Sequence, residues 1–352
     1  MEYLVTNLPA AKIRMLGRSG ICAEGATCDY SATGVIFTLH CEGESTPVAL
    51  SFLTDADVYF TVFVDGTRQA ERLYVCGNST VSSGNFVQQT VTICTLGAGV
   101  HTIRVVRQSN FWHARTTLHA ILTDAELLAA PAPRARTFEF IGDSLTCGYG
   151  VTADAAAAPR EIAGQARFCD ATMAHAFLTA EAYDAECVIC GYSGWGLLWG
   201  DSEKNAETGE VRVLKTIPMI YPYLSHRRGE ELYKPSVTPD LVVINLGSND
   251  AHHEKELSLT EEQLITAVID FMHQVRRMYG KDMPIVQAYG FDHREIMETI
   301  ERAVEQAGGA QAGFYYCSLP ENGDGGNGHP SAAGQQEGAD VLIRFLKAHK
   351  LV

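Results

Sequence analysis

The chain of 352 residues is long for one hydrophobic core and comfortable for two domains. Its 46% hydrophobic and 20% charged residues are those of an ordinary soluble globular protein. A net charge of −15 argues against nucleic acid or an anionic membrane surface as partner and fits a neutral substrate better.

The first nine residues, from Met1 to Pro9, carry neither a basic segment nor a long apolar one, and no uninterrupted apolar run is long enough to cross a bilayer. A cytoplasmic protein with its ten cysteines reduced is the expectation. Cys187-Val188-Ile189-Cys190 has redox or zinc spacing, but no second pair or histidine completes a site, so both thiols are expected to pack in or beside a strand.

Residues 1 to about 130 read as β structure. Val35–His40, Val48–Leu53, Val58–Val64, Arg72–Val75, Gln88–Ile93 and His101–Val106 are short strand-like runs, and Asp65-Gly66 is a strong hairpin signal. Regular spacing with Gly-rich turns and no long helical period indicates a β-sandwich of jelly-roll type. Two prolines among alanines, Pro131 and Pro133, mark the junction, which divides the chain into 1–131 and 132–352. The only low-complexity segment is Ala155–Ala158.

Beyond the junction strands alternate with helices. Strands are predicted at Thr137–Ile141, Glu186–Cys190, Leu241–Leu246, Pro284–Ala288 and Gly313–Cys317. Thr260 and Gln263 form a capping box, behind which Leu264, Val268, Phe271, Met272, Val275 and Met278 share one helical face. A last helix starts near Ser331 and turns Ala339, Leu342, Ile343 and Leu346 inward. Five β-α units imply a mostly parallel five-stranded sheet with helices on both faces, an α/β/α three-layer domain.

Four stretches fall just past predicted strand ends, where open α/β sheets gather ligands. Gly142-Asp143-Ser144 presents a serine hydroxyl, and a helix start after it would aim N–H groups at a developing negative charge; a plain strand-to-helix turn is the alternative. Gly194, in Tyr192-Ser193-Gly194-Trp195, offers an N–H where backbone can approach a substrate, or is merely a turn. Asn249, in Gly247-Ser248-Asn249-Asp250, is a ready oxyanion donor, and the capping role open to such residues is expected of Asp250 instead. His329, held by Pro330 before the last helix, is placed to be the base that a serine nucleophile needs, or is merely structural.

The order Gly-Asp-Ser, Gly, Gly-Ser-Asn-Asp, His-Pro resembles the SGNH, or GDSL-type, hydrolases from about residue 136 to the end. Phe140–Gly150 and a preceding sandwich containing Val64-Asp65-Gly66 and His101–Val106 are similar to carbohydrate esterase family 2 in particular. That family joins a jelly-roll domain to an SGNH domain and removes acetyl groups from plant polysaccharides. The resemblance implies Ser144 as nucleophile and His329 as base. It implies an oxyanion hole of Ser144 N–H, Gly194 N–H and the Asn249 side chain, and no metal or organic cofactor.

One departure stands out. SGNH enzymes usually carry an aspartate two or three residues before the histidine, where this chain has Asn327 and Gly326. Two substitutes are open: a backbone carbonyl, with Asn327 its source, or Asp324 reaching back over the glycines. Trp195 and Trp199 are candidates to stack on sugar faces, as are Tyr221 and Tyr223. His252 and His253 line the cleft or lie in a surface turn, and Phe111-Trp112-His113, at a tip of the sandwich, is placed to reach across.

The resulting expectation is a serine esterase that deacetylates plant-derived oligosaccharides inside a cell. Two rivals remain at this point: an SGNH ester or thioester hydrolase on non-carbohydrate acyl groups, and a carbohydrate-binding protein with a lapsed active site. The sugar and the oligomeric state are not legible in the chain.

Overall fold

A computed structural model describes residues 1–352 apart from 155, 158–160, 162–163 and 281–282, so Ala155 and Ala158 of the alanine run lie outside the described residues. Residues 2–127 form two antiparallel sheets packed face to face. Val48, Leu50 and Phe52 alternate inward from the strand Thr46–Thr54 and meet Phe37, Leu39, Phe60 and Ile103 of the opposite sheet. All six predicted runs are strands. At the hairpin Asp65 and Gly66 both take positive φ, +50° and +78°, as a two-residue turn between Val64 and Thr67 requires.

The sequence reading misses Thr116–Thr123, which pairs with Thr46–Thr54 on one side and Gly25–Thr27 on the other. A bulge between Leu118 and Ala120 breaks its alternation, so Leu118 and Ile121, three apart, both turn into the core. No period-two signal survives such an irregularity.

The second half contains the five predicted parallel strands: β1 (Arg136–Gly142), β2 (Ala185–Gly191), β3 (Leu241–Asn245), β4 (Ile285–Tyr289) and β5 (Phe314–Ser318). Their order is β2-β1-β3-β4-β5. Helices α1 (His175–Ala182), α2 (Ser248–His252), α3 (Glu261–Tyr279), α4 (Met297–Gln306) and α5 (Ala332–His349) complete this half, along with shorter turns of helix. Val242 and Ile244 face a core built with α3 and α4, whereas Leu241 and Val243 face one built with α1 and α5. The predicted capping box of α3 forms in full. Ser331 caps α5, in which Ala339, Leu342 and Leu346 are buried and Ile343 is half-buried. Cys190 and Cys187 pack on opposite faces of the sheet, and all ten cysteines are free thiols. Among the described residues no helix is long and apolar enough to cross a membrane.

The sandwich and the sheet share buried surface. Ile36, Phe63 and Val106 of the sandwich join the core of Phe138, Phe140 and Phe177. Beside this apolar contact lies Arg18, whose side chain is fully buried. Its guanidinium donates to the Tyr221 and Tyr223 carbonyls, sits over the Tyr233 ring at 4.0 Å and lies 3.6 Å from the Glu139 carboxylate on β1. Burial raises the pKa of Glu139, and the Arg18 charge opposes that rise. Replacing Arg18 with Met is therefore expected to cost about 3–5 kcal/mol of stability, since it strands a buried carboxylate. Adding Glu139→Gln should recover part of the loss, with urea unfolding midpoints as the measurement.

Candidate active site

Parallel pairing sets the site's geometry. Gly142 at the end of β1 lies opposite Gly191 of β2 and Asn245 of β3, so the three loops that follow leave the sheet side by side. Only glycine fits at 142: a Cβ there would stand 2.1 Å from the Thr146 hydroxyl and 3.0 Å from the Asn245 carbonyl. Asp143 then closes a tight turn, its carboxylate accepting the Leu145 N–H at 3.0 Å and its carbonyl the Cys147 N–H at 3.1 Å.

No helix starts after Ser144, contrary to expectation; residues 144–150 form a run of turns. The cause lies in Gly148 and Gly150, at φ +67° and +72°, where any Cβ would collide with the Asp170 and Gly326 carbonyls. The detour is useful. It brings Gly150 against the loop before α5, where the Gly326 N–H donates to the Gly150 carbonyl at 3.1 Å, and so fixes Ser144 relative to His329.

His329 Nε2 lies 2.8 Å from Ser144 Oγ, and His329 Nδ1 lies 2.9 Å from the Asn327 carbonyl. With its proton on Nδ1, the ring donates to Asn327 and accepts the serine proton at Nε2. Asn327, at φ +58°, turns its carbonyl toward the ring. Asp324 does not orient the histidine: its Oδ1 accepts the Ser331 N–H at 3.1 Å and ties down the start of α5. The ring edge-packs on Tyr149 at 4.8 Å, and burial lowers its pKa below the ordinary histidine value, with the Asn327 carbonyl opposing the shift.

Ser144 N–H and Gly194 N–H take no hydrogen-bond partner among the described residues, and Gly194 sits at φ +80°. Asn249 joins them from the first turn of α2. Its Nδ2 donates to Asp143 Oδ2 and to the Trp195 carbonyl, both at 3.0 Å. Both amide hydrogens are thus engaged in the resting protein, and an oxyanion must share one of them.

Asp250 does not cap α2; Gly247, at φ +130°, occupies that position with no side-chain cap. The fully buried Asp250 carboxylate instead accepts three N–H groups from the Gly194 loop: Leu197 at 2.9 Å, Leu198 at 2.6 Å and Trp199 at 2.9 Å. A Cβ on Gly196 would come within 2.3 Å of this carboxylate, which explains the second glycine of the loop. Asp250 therefore clamps the Gly194 loop to the helix that carries Asn249.

These groups open onto a cleft of about 580 Å³. Its far wall carries His252, His253, Asp292 and His293, and Trp112 enters from the sandwich. His252 and His253 thus line the cleft rather than a surface turn. Of the expected sugar-facing residues, Trp195 lines an adjoining cavity, while Trp199 stacks on His253 at 3.7 Å and lines neither. Tyr221 is 1% exposed and donates to Glu139, so it belongs to the core; Tyr223 lines neither cavity. Asp292, which accepts the Ser248 hydroxyl at 2.6 Å, went unnoticed in the sequence, although its place just past β4 is the signal that singled out the other loops.

The arrangement suits acyl transfer: a serine paired with a neutral base, beside free N–H donors. Asp250→Asn puts an amide –NH₂ against the loop N–H groups; it should lower kcat for p-nitrophenyl acetate about tenfold to a hundredfold while leaving KM within about twofold. An undiminished kcat would contradict the clamp. Because His329 must be neutral to accept the proton, kcat/KM should stay flat through neutrality. It should fall only as pH drops through a midpoint below the ordinary histidine value of ~6.5.

Comparison with known proteins agrees with this geometry. The GDSL-like Lipase/Acylhydrolase family matches residues 140–337, more than half of the chain. An acetylxylan esterase / glucomannan deacetylase of Cellvibrio japonicus is 28% identical over 269 residues, covering 73% of this chain and 71% of that protein. Among solved structures, an acetyl xylan esterase from the rumen bacterium Butyrivibrio proteoclasticus superimposes with a TM-score of 0.79 at 18% identity, covering 99% of this chain and 98% of that one. A family two carbohydrate esterase from Clostridium thermocellum in complex with cellohexaose gives 0.76 at 23% identity, covering 97% and 100%. The same sandwich-plus-parallel-sheet fold is common to these structures. With the Ser144 turn, the helix that carries Asn249 and His329 all inside the matched segment, the chain belongs to the GDSL-like lipase/acylhydrolase family.

Proposed function

We propose that the protein is a serine esterase that removes O-acetyl groups from plant-derived oligosaccharides such as acetylated xylan and glucomannan fragments. The observation that carries this reading is the 2.8 Å contact of Ser144 Oγ with a His329 ring oriented by the Asn327 carbonyl, at the floor of a polar, histidine-rich cleft. The Cellvibrio japonicus relative, an acetylxylan esterase / glucomannan deacetylase, supplies the substrate class. A cleft edged by His252, His253, Asp292 and His293 suits sugar hydroxyls better than a long acyl chain.

In this reading His329 takes the Ser144 proton as Oγ attacks the acetyl carbonyl. The oxyanion draws on Ser144 N–H, Gly194 N–H and the Asn249 amide, the last at the expense of its bond to Asp143 or Trp195. His329 returns the proton to the departing sugar hydroxyl. It then activates water against the acetyl-serine. Residues 132–352 carry the reacting groups, and the sandwich of residues 1–131 walls the cleft through Trp112.

The intact Ser144–His329 pair weighs against a lapsed site. Acetate release from acetylated xylan and glucomannan oligosaccharides should fall roughly thousandfold or more in Ser144→Ala, and NMR of the product would identify the hydroxyl attacked. Undiminished release by the variant, or cleavage confined to long-chain esters, would refute the proposal.

A further inference from the structure

Behind the catalytic cleft lies a second cavity, of about 770 Å³, that shares Trp112 and Ser193 with it. The two are therefore neighbours, separated by Trp112 of the sandwich and Ser193 of the Gly194 loop. Three aromatic rings line the second cavity: Trp112, Trp195 and Tyr192, the last two 4.2 Å apart between ring centroids. Such rings offer flat apolar faces for the C–H surface of a sugar.

Lys215 and Arg227 both line the cavity, against the single carboxylate of Asp201, so it is locally positive in a chain of net charge −15. Neither cation forms an ion pair among the described residues. Arg227 is half-buried and spends only Nη1, on the Phe111 and Trp112 carbonyls. His226, between them, has a buried Nδ1 with no hydrogen-bond partner. The Arg227 guanidinium also lies 5.9 Å from the Phe111 ring centroid, but no carboxylate among the described residues forms an ion pair with it, as a half-buried guanidinium ordinarily requires.

We infer that this cavity binds a carboxylated sugar unit of the glycan whose acetylated residue sits at Ser144. The protein thereby favours acetylated oligosaccharides that carry a uronic acid. Trp112 and Trp195 take the ring, and Lys215 and Arg227 take the carboxylate. Rather than a free anion, the ligand is part of the same glycan, because Trp112 and Ser193 line both this cavity and the cleft that holds the ester, so neighbouring sugar units reach both. The inference rests on the carbohydrate esterase reading given above.

The test compares kcat/KM for an acetylated xylo-oligosaccharide bearing one uronic acid with that for its carboxyl-reduced, neutral counterpart. The ratio is read within each variant, so that any loss common to both substrates cancels. The wild type should favour the charged substrate about tenfold, equivalent to about 1.4 kcal/mol. The Lys215 side chain makes no hydrogen bond or ion pair among the described residues and is exposed, so Lys215→Gln is chosen as a variant that folds. It should shrink the ratio several-fold, Lys215→Glu should shrink it further, and added salt should erode the wild-type preference. Equal rates on both substrates, or a ratio unchanged in Lys215→Glu, would overturn the inference and leave the esterase reading intact. If neither glycan is deacetylated while p-nitrophenyl acetate is cleaved through Ser144, both fall together.

Discussion

The parallel register that sets Gly142 between Gly191 and Asn245 governs the rest of the structure. Because β1 is flanked by β2 on one side and β3 on the other, the chain leaves its three carboxyl ends at one level, within reach of a single substrate atom. Ser144, Gly194 and Asn249 then follow within two to four residues of those strand ends. A one-residue slip of either neighbour would leave the strands paired and the site dispersed.

Register alone does not hold loops still. That task falls to buried polar groups whose hydrogen bonds are fully used. Asp250 takes three loop N–H groups, and Asn249 bridges Asp143 and the Trp195 carbonyl. Burial, with the Asp292 carboxylate nearby, pushes the Asp143 carboxyl well above the usual carboxylate range. His329 is managed differently. A carbonyl fixes its tautomer and direction without placing a full negative charge against it, and burial lowers its pKa. The charge opposing that depression comes from Asp292 across the cleft. In the proposed mechanism, stabilisation therefore falls more heavily on the oxyanion donors than on the imidazolium.

The sandwich is more than an appendage. Ile36, Phe63 and Val106, which lie outside its own core, join the core of the parallel sheet, and its polar contacts are specific. Asp29, 2% exposed, receives Arg228 at 2.6 and 2.8 Å and Ser225 at 2.8 Å, and the Asn110 amide donates to Ser193 at 2.8 Å. The last bond ties the strand-end loop of the sandwich to the Gly194 loop. Trp112 stands in the same segment as Asn110, so the wall of the cleft is set by the packing of one half of the chain on the other.

The sequence by itself determined the periodic and the punctuated features. The five parallel strands, the capping box of α3, the Asp65-Gly66 turn, the strand-end positions of Ser144, Gly194 and Asn249 and the place of His329 before the last helix all rest on local pattern, which neighbours in sequence suffice to define. It also narrowed the partner of His329 to two choices. Tertiary structure decided between them, because the glycines around Asn327 allow several loop closures and only contact with Gly150 selects one. It moved Asp250 from cap to clamp, buried Tyr221 with Glu139, and turned Trp199 onto His253 instead of the cleft. It also brought Trp112 and Asp292 to the site from far along the chain. A residue's partner across a fold depends on long-range packing, and no local spacing encodes it.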